Sequence, residues 1–83
     1  MRVRIRLFGP FKEIAPAADG WREVPEGETV AGLLAALQRE GVLPEKLLLA
    51  SAVAVNQEYA QPTRILFEGD EVAILPPVSG GRP

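Results

Sequence analysis

Glu71-Val72-Ala73-Ile74-Leu75, closed by Pro76-Pro77, is the stretch on which the fold turns. From Val72 onward both alternating faces are apolar, so the run reads as a strand placed centrally in its sheet. The two prolines end it, since neither can donate to a ladder. A second strand opens the chain. In Arg2-Val3-Arg4-Ile5-Arg6-Leu7-Phe8, Val3, Ile5 and Leu7 alternate with Arg2, Arg4 and Arg6, the period of a half-buried strand. Gly9-Pro10 breaks it. Phe11 and Ile14 fall on a short turn or helix that Pro16 ends, and Asp19-Gly20 marks a turn. Trp21-Arg22-Glu23-Val24 then reads as a strand returning antiparallel to the first.

Between these ends lies one clear helix. Val30, Leu33, Leu34 and Leu37 recur at the spacing of a single apolar stripe. Thr29 is its expected N-cap and Gly41 its C′ residue. Gly32 inside it costs about 1 kcal/mol relative to Ala, which points to close packing on a sheet. Pro44-Glu45 opens a short helical turn through Leu47–Leu49. Ala52-Val53-Ala54-Val55 is a strand, Asn56-Gln57 its turn, and Glu58-Tyr59-Ala60 a short return strand. Pro62 to Phe67 reads as a loop with one helical turn, and Glu68-Gly69-Asp70 as a tight solvated turn. One helix must hide its stripe on one sheet, which predicts a two-layer α+β domain. With the first and last strands as central neighbours, this is a β-grasp: a mixed sheet of about five strands covered on one face by one main helix. The domain is expected to run from residue 1 to 77, with residues 78–83 as a flexible tail.

Composition narrows function by exclusion. The 83 residues contain no cysteine and no histidine. Disulfides, CxxC redox pairs, Cys/His zinc sites and Ser-His or Cys-His nucleophile pairs are therefore absent. A net charge of −2 gives no general attraction to nucleic acid or anionic membrane, so neither is an expected partner. No apolar run approaches the roughly 20 residues that span a bilayer, and the N-terminus lacks a signal-peptide core. A cytoplasmic location is the expectation. No metal site is expected either: Glu68, Asp70 and Glu71 around Gly69 lack the spacing and number of a calcium loop. The arginine stripe of the first strand reads as a wet face, with an anion or an acidic partner as its alternative use.

The tail is the unusual feature. From Val72 to Gly81 nothing is charged, and Gly80-Gly81 comes almost at the end. Two residues without a β-carbon make the thinnest backbone available, suited to a narrow channel. Pro76-Pro77 would project it in extended form. A chain without nucleophilic side chains can still carry an acyl group at such an end if another enzyme activates it. A frayed terminus accounts for the same residues on simpler terms.

Val55-Asn56-Gln57, Glu68-Gly69-Asp70-Glu71-Val72-Ala73 and Leu75-Pro76-Pro77-Val78-Ser79-Gly80-Gly81 together resemble the MoaD family, the small subunit of molybdopterin synthase. Leu7-Phe8 followed by Lys12-Glu13 is similar to that family's Phe-x-x-x-Arg/Lys-Glu segment. The related ThiS-like carriers share the Gly-Asp and the Gly-Gly. The resemblance implies that Gly81 is adenylated with ATP by a MoeB-like E1-type enzyme and converted to a thiocarboxylate. Docked into a MoaE-like large subunit, the tail would give its sulfur to cyclic pyranopterin monophosphate in molybdenum cofactor biosynthesis. The chain would then be no enzyme alone, would hold no permanent cofactor, and would use ATP only through its activating enzyme. The resemblance places Phe8, Lys12 and Leu75 on the partner-facing surface. It makes Pro76, Pro77, Val78, Ser79 and Gly80 the inserted tail. One departure stands out: Arg82-Pro83 follow Gly81, whose carboxyl is thus tied up in a peptide bond, so removal by a processing protease is expected. Other uses stay open on the residues alone: sulfur delivery to thiamine, cysteine, tRNA or a tungsten cofactor, a ubiquitin-like protein modifier, or a binding module whose Gly-Gly is slack.

Overall fold

β1 (Arg2–Leu7) and β5 (Glu71–Leu75) lie side by side and parallel, with Ile5 opposite Val72 and Leu7 opposite Ile74. This is the central pairing that the two apolar runs require. The computed structural model describes residues 1–46 and 51–76. Within them β2 (Gly20–Glu23) pairs antiparallel with β1, β3 (Ala52–Val55) antiparallel with β5, and β4 (Glu58–Tyr59) with β3. The strand order is β2-β1-β5-β3-β4. The predicted β-grasp is the observed architecture, and β5 is its middle strand. The boundary expected at residues 77 and 78, the tail beyond it and the Leu47–Leu49 turn lie outside the described residues.

Alternation sorts the sheet into two faces. Val3, Ile5, Leu7, Val53, Val55, Val72 and Ile74 point inward and are buried against α2 (Val30–Arg39). The helix contributes Val30, Leu33 and Leu37, each worth about 1.5–3 kcal/mol when removed from water. A short helix α1 (Pro10–Ile14) and a 3-10 turn (Pro16–Ala18) link β1 to β2, and α1 inserts Phe11 fully into the core. No helix among the described residues is long and apolar enough to cross a membrane.

The ends of α2 are closed as its sequence requires. Thr29 Oγ1 accepts from Gly32 N at 3.1 Å. At the other end Gly41 takes a φ of 71°, its N–H donating to Gln38 O while Val42 N–H donates to Leu37 O. That pair of bonds is a Schellman motif.

Three local expectations change. The segment 62–67 starts with one hydrogen-bonded turn, Arg64 N donating to Gln61 O at 3.0 Å, but forms no helix. Instead, Arg64 O and Pro62 O accept the first free amides of α2, from Val30 and Ala31, and Leu66 N donates to Glu28 O. Satisfying the helix N-terminus fixes the path of this loop, Ile65 bridges to Thr29, and Leu66 is buried. The Glu68–Asp70 turn is not merely solvated either. Asp70 is buried and accepts from Asn56 Nδ2 at 2.9 Å and from Phe67 N at 2.8 Å. Gly32 makes room for a side chain rather than for the sheet: a β-carbon there would collide with the carboxylate end of Glu28.

Candidate functional site

The C-terminal ends of β1 and β5 meet at one corner of the sheet, because parallel neighbours finish together. Leu75 and Pro76 therefore emerge beside Phe8 and Gly9. Gly9 has φ 60° and ψ −136°, a backbone region open in practice to glycine. A β-carbon on it would stand 3.2 Å from Pro76 Cγ. The glycine thus serves both the turn into α1 and the close passage of the chain leaving β5.

Of the residues expected to face a partner, Phe8 and Lys12 are exposed, and Leu75 and Pro76 are half-buried. Phe8 and Leu75 line one concavity, whose floor includes Ala54 and Ala73. Phe8 and Lys12 border a second concavity with Arg4 and Arg6. The three candidates are thus gathered around the tail's root, reached from three elements: the end of β1, α1 and the end of β5. Pro77, Val78, Ser79, Gly80 and Gly81 lie outside the described residues.

This corner opens onto the sheet face that no described helix covers. Arg2, Arg4 and Arg6 point outward from β1, in register with Glu23, with Trp21 and Glu71, and with Ala73. Small residues run on from Ala73 to Ala54, and Tyr59 stands opposite Ala54 at the edge, widely exposed. Small side chains in the middle with Phe8 and Tyr59 on either side make a shallow apolar saddle beside Leu75.

Two contacts order the cationic side of this face. The Arg6 guanidinium lies 5.2 Å from the Phe8 ring centroid and donates to Glu71 Oε2 at 3.2 Å. Arg2 stacks on Trp21 at 5.1 Å. Such exposed stacks contribute about 0.5–1 kcal/mol each, enough to bias a rotamer. Arg6 therefore holds Phe8 from one side, a role that reading the stripe simply as a wet face misses. The signal was present, since residues 6 and 8 share a face at period two. Among the described residues no group of three or more acidic side chains is placed to hold a metal ion.

The described residues of this corner bring a strand end beside an aromatic, at a position that fits a carrier. The sequence profile described as the ThiS family matches residues 5–81, ending on Gly81. The chain belongs to the ThiS family.

Within that family it is similar to the molybdopterin synthase sulfur carrier subunit of Chlamydomonas reinhardtii, 32% identical over 83 residues, covering 98% of this chain and all of the relative. Among solved structures it is similar to the complex of subunits 1 and 2 of the molybdopterin-converting factor of Helicobacter pylori. That match has a TM-score of 0.70 and 31% identity, covering 98% of this chain and 100% of the other. It also resembles the small archaeal modifier protein 1 of Haloferax volcanii, with a TM-score of 0.79 and 25% identity over 93% of this chain and 98% of that one.

Proposed function

We propose that this ThiS-family chain is the sulfur carrier subunit of a molybdopterin synthase, a partner in a complex rather than a catalyst alone. The observation that carries the reading is the placement of Pro76. The middle strand of the sheet ends there, beside Phe8 on an uncovered apolar face, with Gly80-Gly81 only four and five residues further on. Five extended residues reach at most about 17 Å, the right order for a terminal group to enter a groove on a partner that grips the Phe8 corner. A large subunit is the expected partner, as in the two-subunit factor to which the chain is similar.

The chemistry then needs nothing from the side chains. An E1-type enzyme would join the Gly81 carboxyl to AMP with release of pyrophosphate. A sulfur donor would displace the AMP, leaving a thiocarboxylate. In the large subunit that sulfur would pass to cyclic pyranopterin monophosphate. Arg82 and Pro83 would first have to be removed, because a Gly81 carbonyl tied up in a peptide bond offers no carboxylate oxygen for adenylation. Phe8, Lys12 and Leu75 would carry docking, and the run from Pro76 to Gly80 would be the inserted arm.

The test is reconstitution. A version ending at Gly81, given activating enzyme, ATP and a sulfur source, should gain a thiocarboxylate by mass and form molybdopterin with the large subunit and pterin precursor. Absence of both products overturns the reading. The likeness to the archaeal modifier supports a second use, transfer of the same activated carboxyl to lysines, for which discrete higher-mass adducts are the readout.

A further inference from the structure

On the outward row of β1, Arg4 is the arginine left over. Its register neighbours are Trp21 on β2 and Glu71 on β5, a ring and an acid that an arginine would ordinarily engage. Both are taken by others: Arg2 stacks on Trp21, and Arg6 pairs with Glu71 Oε2. Among the described residues the exposed Arg4 side chain has no acid, ring or acceptor. Three arginines share this face with Glu23 and Glu71, and Glu13 and Asp19 line the concavity that Arg4 borders, none of them bonded to Arg4. Arg4 also borders the concavity that holds Phe8 and Lys12, which places it on the docking corner proposed above.

We propose that Arg4 is a specificity-determining contact for a protein partner that presents a carboxylate beside the apolar pocket receiving Phe8. A guanidinium matches a carboxylate in bidentate geometry and is only weakly hydrated, so it suits a site that dries on docking. A polyanion fits less well. Glu13, Asp19 and Glu71 lie close by and would repel an extended run of phosphates more than a single carboxylate placed on Arg4. This inference rests on the carrier reading and names the chemistry of its partner.

The probe is the large subunit of the source organism's molybdopterin synthase, titrated with the wild-type chain, Arg4→Ala, Arg4→Lys and Phe8→Ala at low and high salt, about 50 and 500 mM. Arg4→Ala should weaken binding roughly tenfold or more at low salt, with the gap narrowing at high salt. Arg4→Lys should fall between, keeping the charge but losing the fork. Phe8→Ala should lose affinity at both salts. Wild-type affinity for Arg4→Ala at low salt, or a loss that salt does not change, overturns the Arg4 assignment while a defective Phe8→Ala leaves the docking corner standing. A wild-type chain that does not bind overturns both.

Discussion

Asn56 and Asp70 hold two distant turns together. Asn56 Nδ2 donates to Asp70 Oδ1 at 2.9 Å, while Asn56 Oδ1 accepts from Glu71 N at 3.0 Å. Asn56 and Gln57 form the β3–β4 turn with φ values of 52° and 72°, and Asp70 closes the turn that leads into β5. The pair thus fixes where the middle strand starts. Its other end leads to Pro76.

Replacing Asp70 with Ala strands Phe67 N and Asn56 Nδ2 in a partly buried pocket. The expected loss is roughly 1–3 kcal/mol, read by urea denaturation. Asp70→Asn should cost less, since one oxygen survives while its new amide faces a donor. Carrier turnover well below the melting temperature should hardly change, because neither residue borders the tail's root. A fully stable Asp70→Ala would remove the structural role assigned to this acid.

Arg22 and Glu40 give a pH dependence with a definite sign. Glu40 is the C-cap of α2, where the helix dipole disfavours a negative charge, and the Arg22 side chain forks onto its carboxylate from β2. The Arg22 hydrogen bond, first among the causes, holds the Glu40 carboxyl below its ordinary value. A lowered carboxylate pKa adds stability above the unfolded-state value, and this is lost as pH falls through the folded one. Glu40→Gln should therefore melt below wild type at neutral pH, and the two should converge on acidification. The gap will be modest because Glu40 is exposed. A gap that widens in acid would contradict the assignment.

How far the sequence was legible follows from which forces are periodic. The alternation of Val3, Ile5 and Leu7, the stripe from Val30 to Leu37 and the two-faced run from Val72 are patterns of burial, and all three elements stand where they were expected. Thr29 and Gly41 were readable because capping is local chemistry. What escaped was non-local. Segment 62–67 is held in place by the amides of a helix some thirty residues earlier, and Asp70 accepts from an asparagine fourteen residues away. At the site, Phe8, Lys12 and Leu75 came from a resemblance, and topology explains why they gather. Arg6 over Phe8 and Gly9 against Pro76 needed coordinates.

Gly32→Ala sets helix propensity against one side chain. Alanine gains about 1 kcal/mol in a helix interior. Its β-carbon displaces the carboxylate end of Glu28, which accepts from Thr29 N at 3.1 Å. That end is flexible, so the substitution should stabilise by about half a kcal/mol, and by nearer 1 kcal/mol when Glu28→Ala removes the conflict beforehand. Chemical denaturation of the single and double variants checks both. A destabilised double variant would mean that the sheet, and not Glu28, requires the glycine.

Gly9→Ala separates the stability of the corner from its use. The substitution forces a side chain into φ 60° and drives its β-carbon to 3.2 Å from Pro76 Cγ. Strain at such a position costs on the order of 1–3 kcal/mol, which denaturation would report. The second effect is directional, because relief of the clash requires Pro76, the first residue of the arm, to move. Phe11 and Leu7 are buried on either side and resist a shift of Gly9 itself. Affinity for the large subunit and thiocarboxylate transfer should therefore fall even at temperatures where the variant is fully folded. Phe11→Leu offers the control: a core substitution of comparable cost, about 1–3 kcal/mol, that leaves the Pro76 contact untouched. If both variants lose transfer in proportion to lost stability, the corner is only scaffold. A larger defect in Gly9→Ala at matched stability assigns the aim of the arm to this glycine.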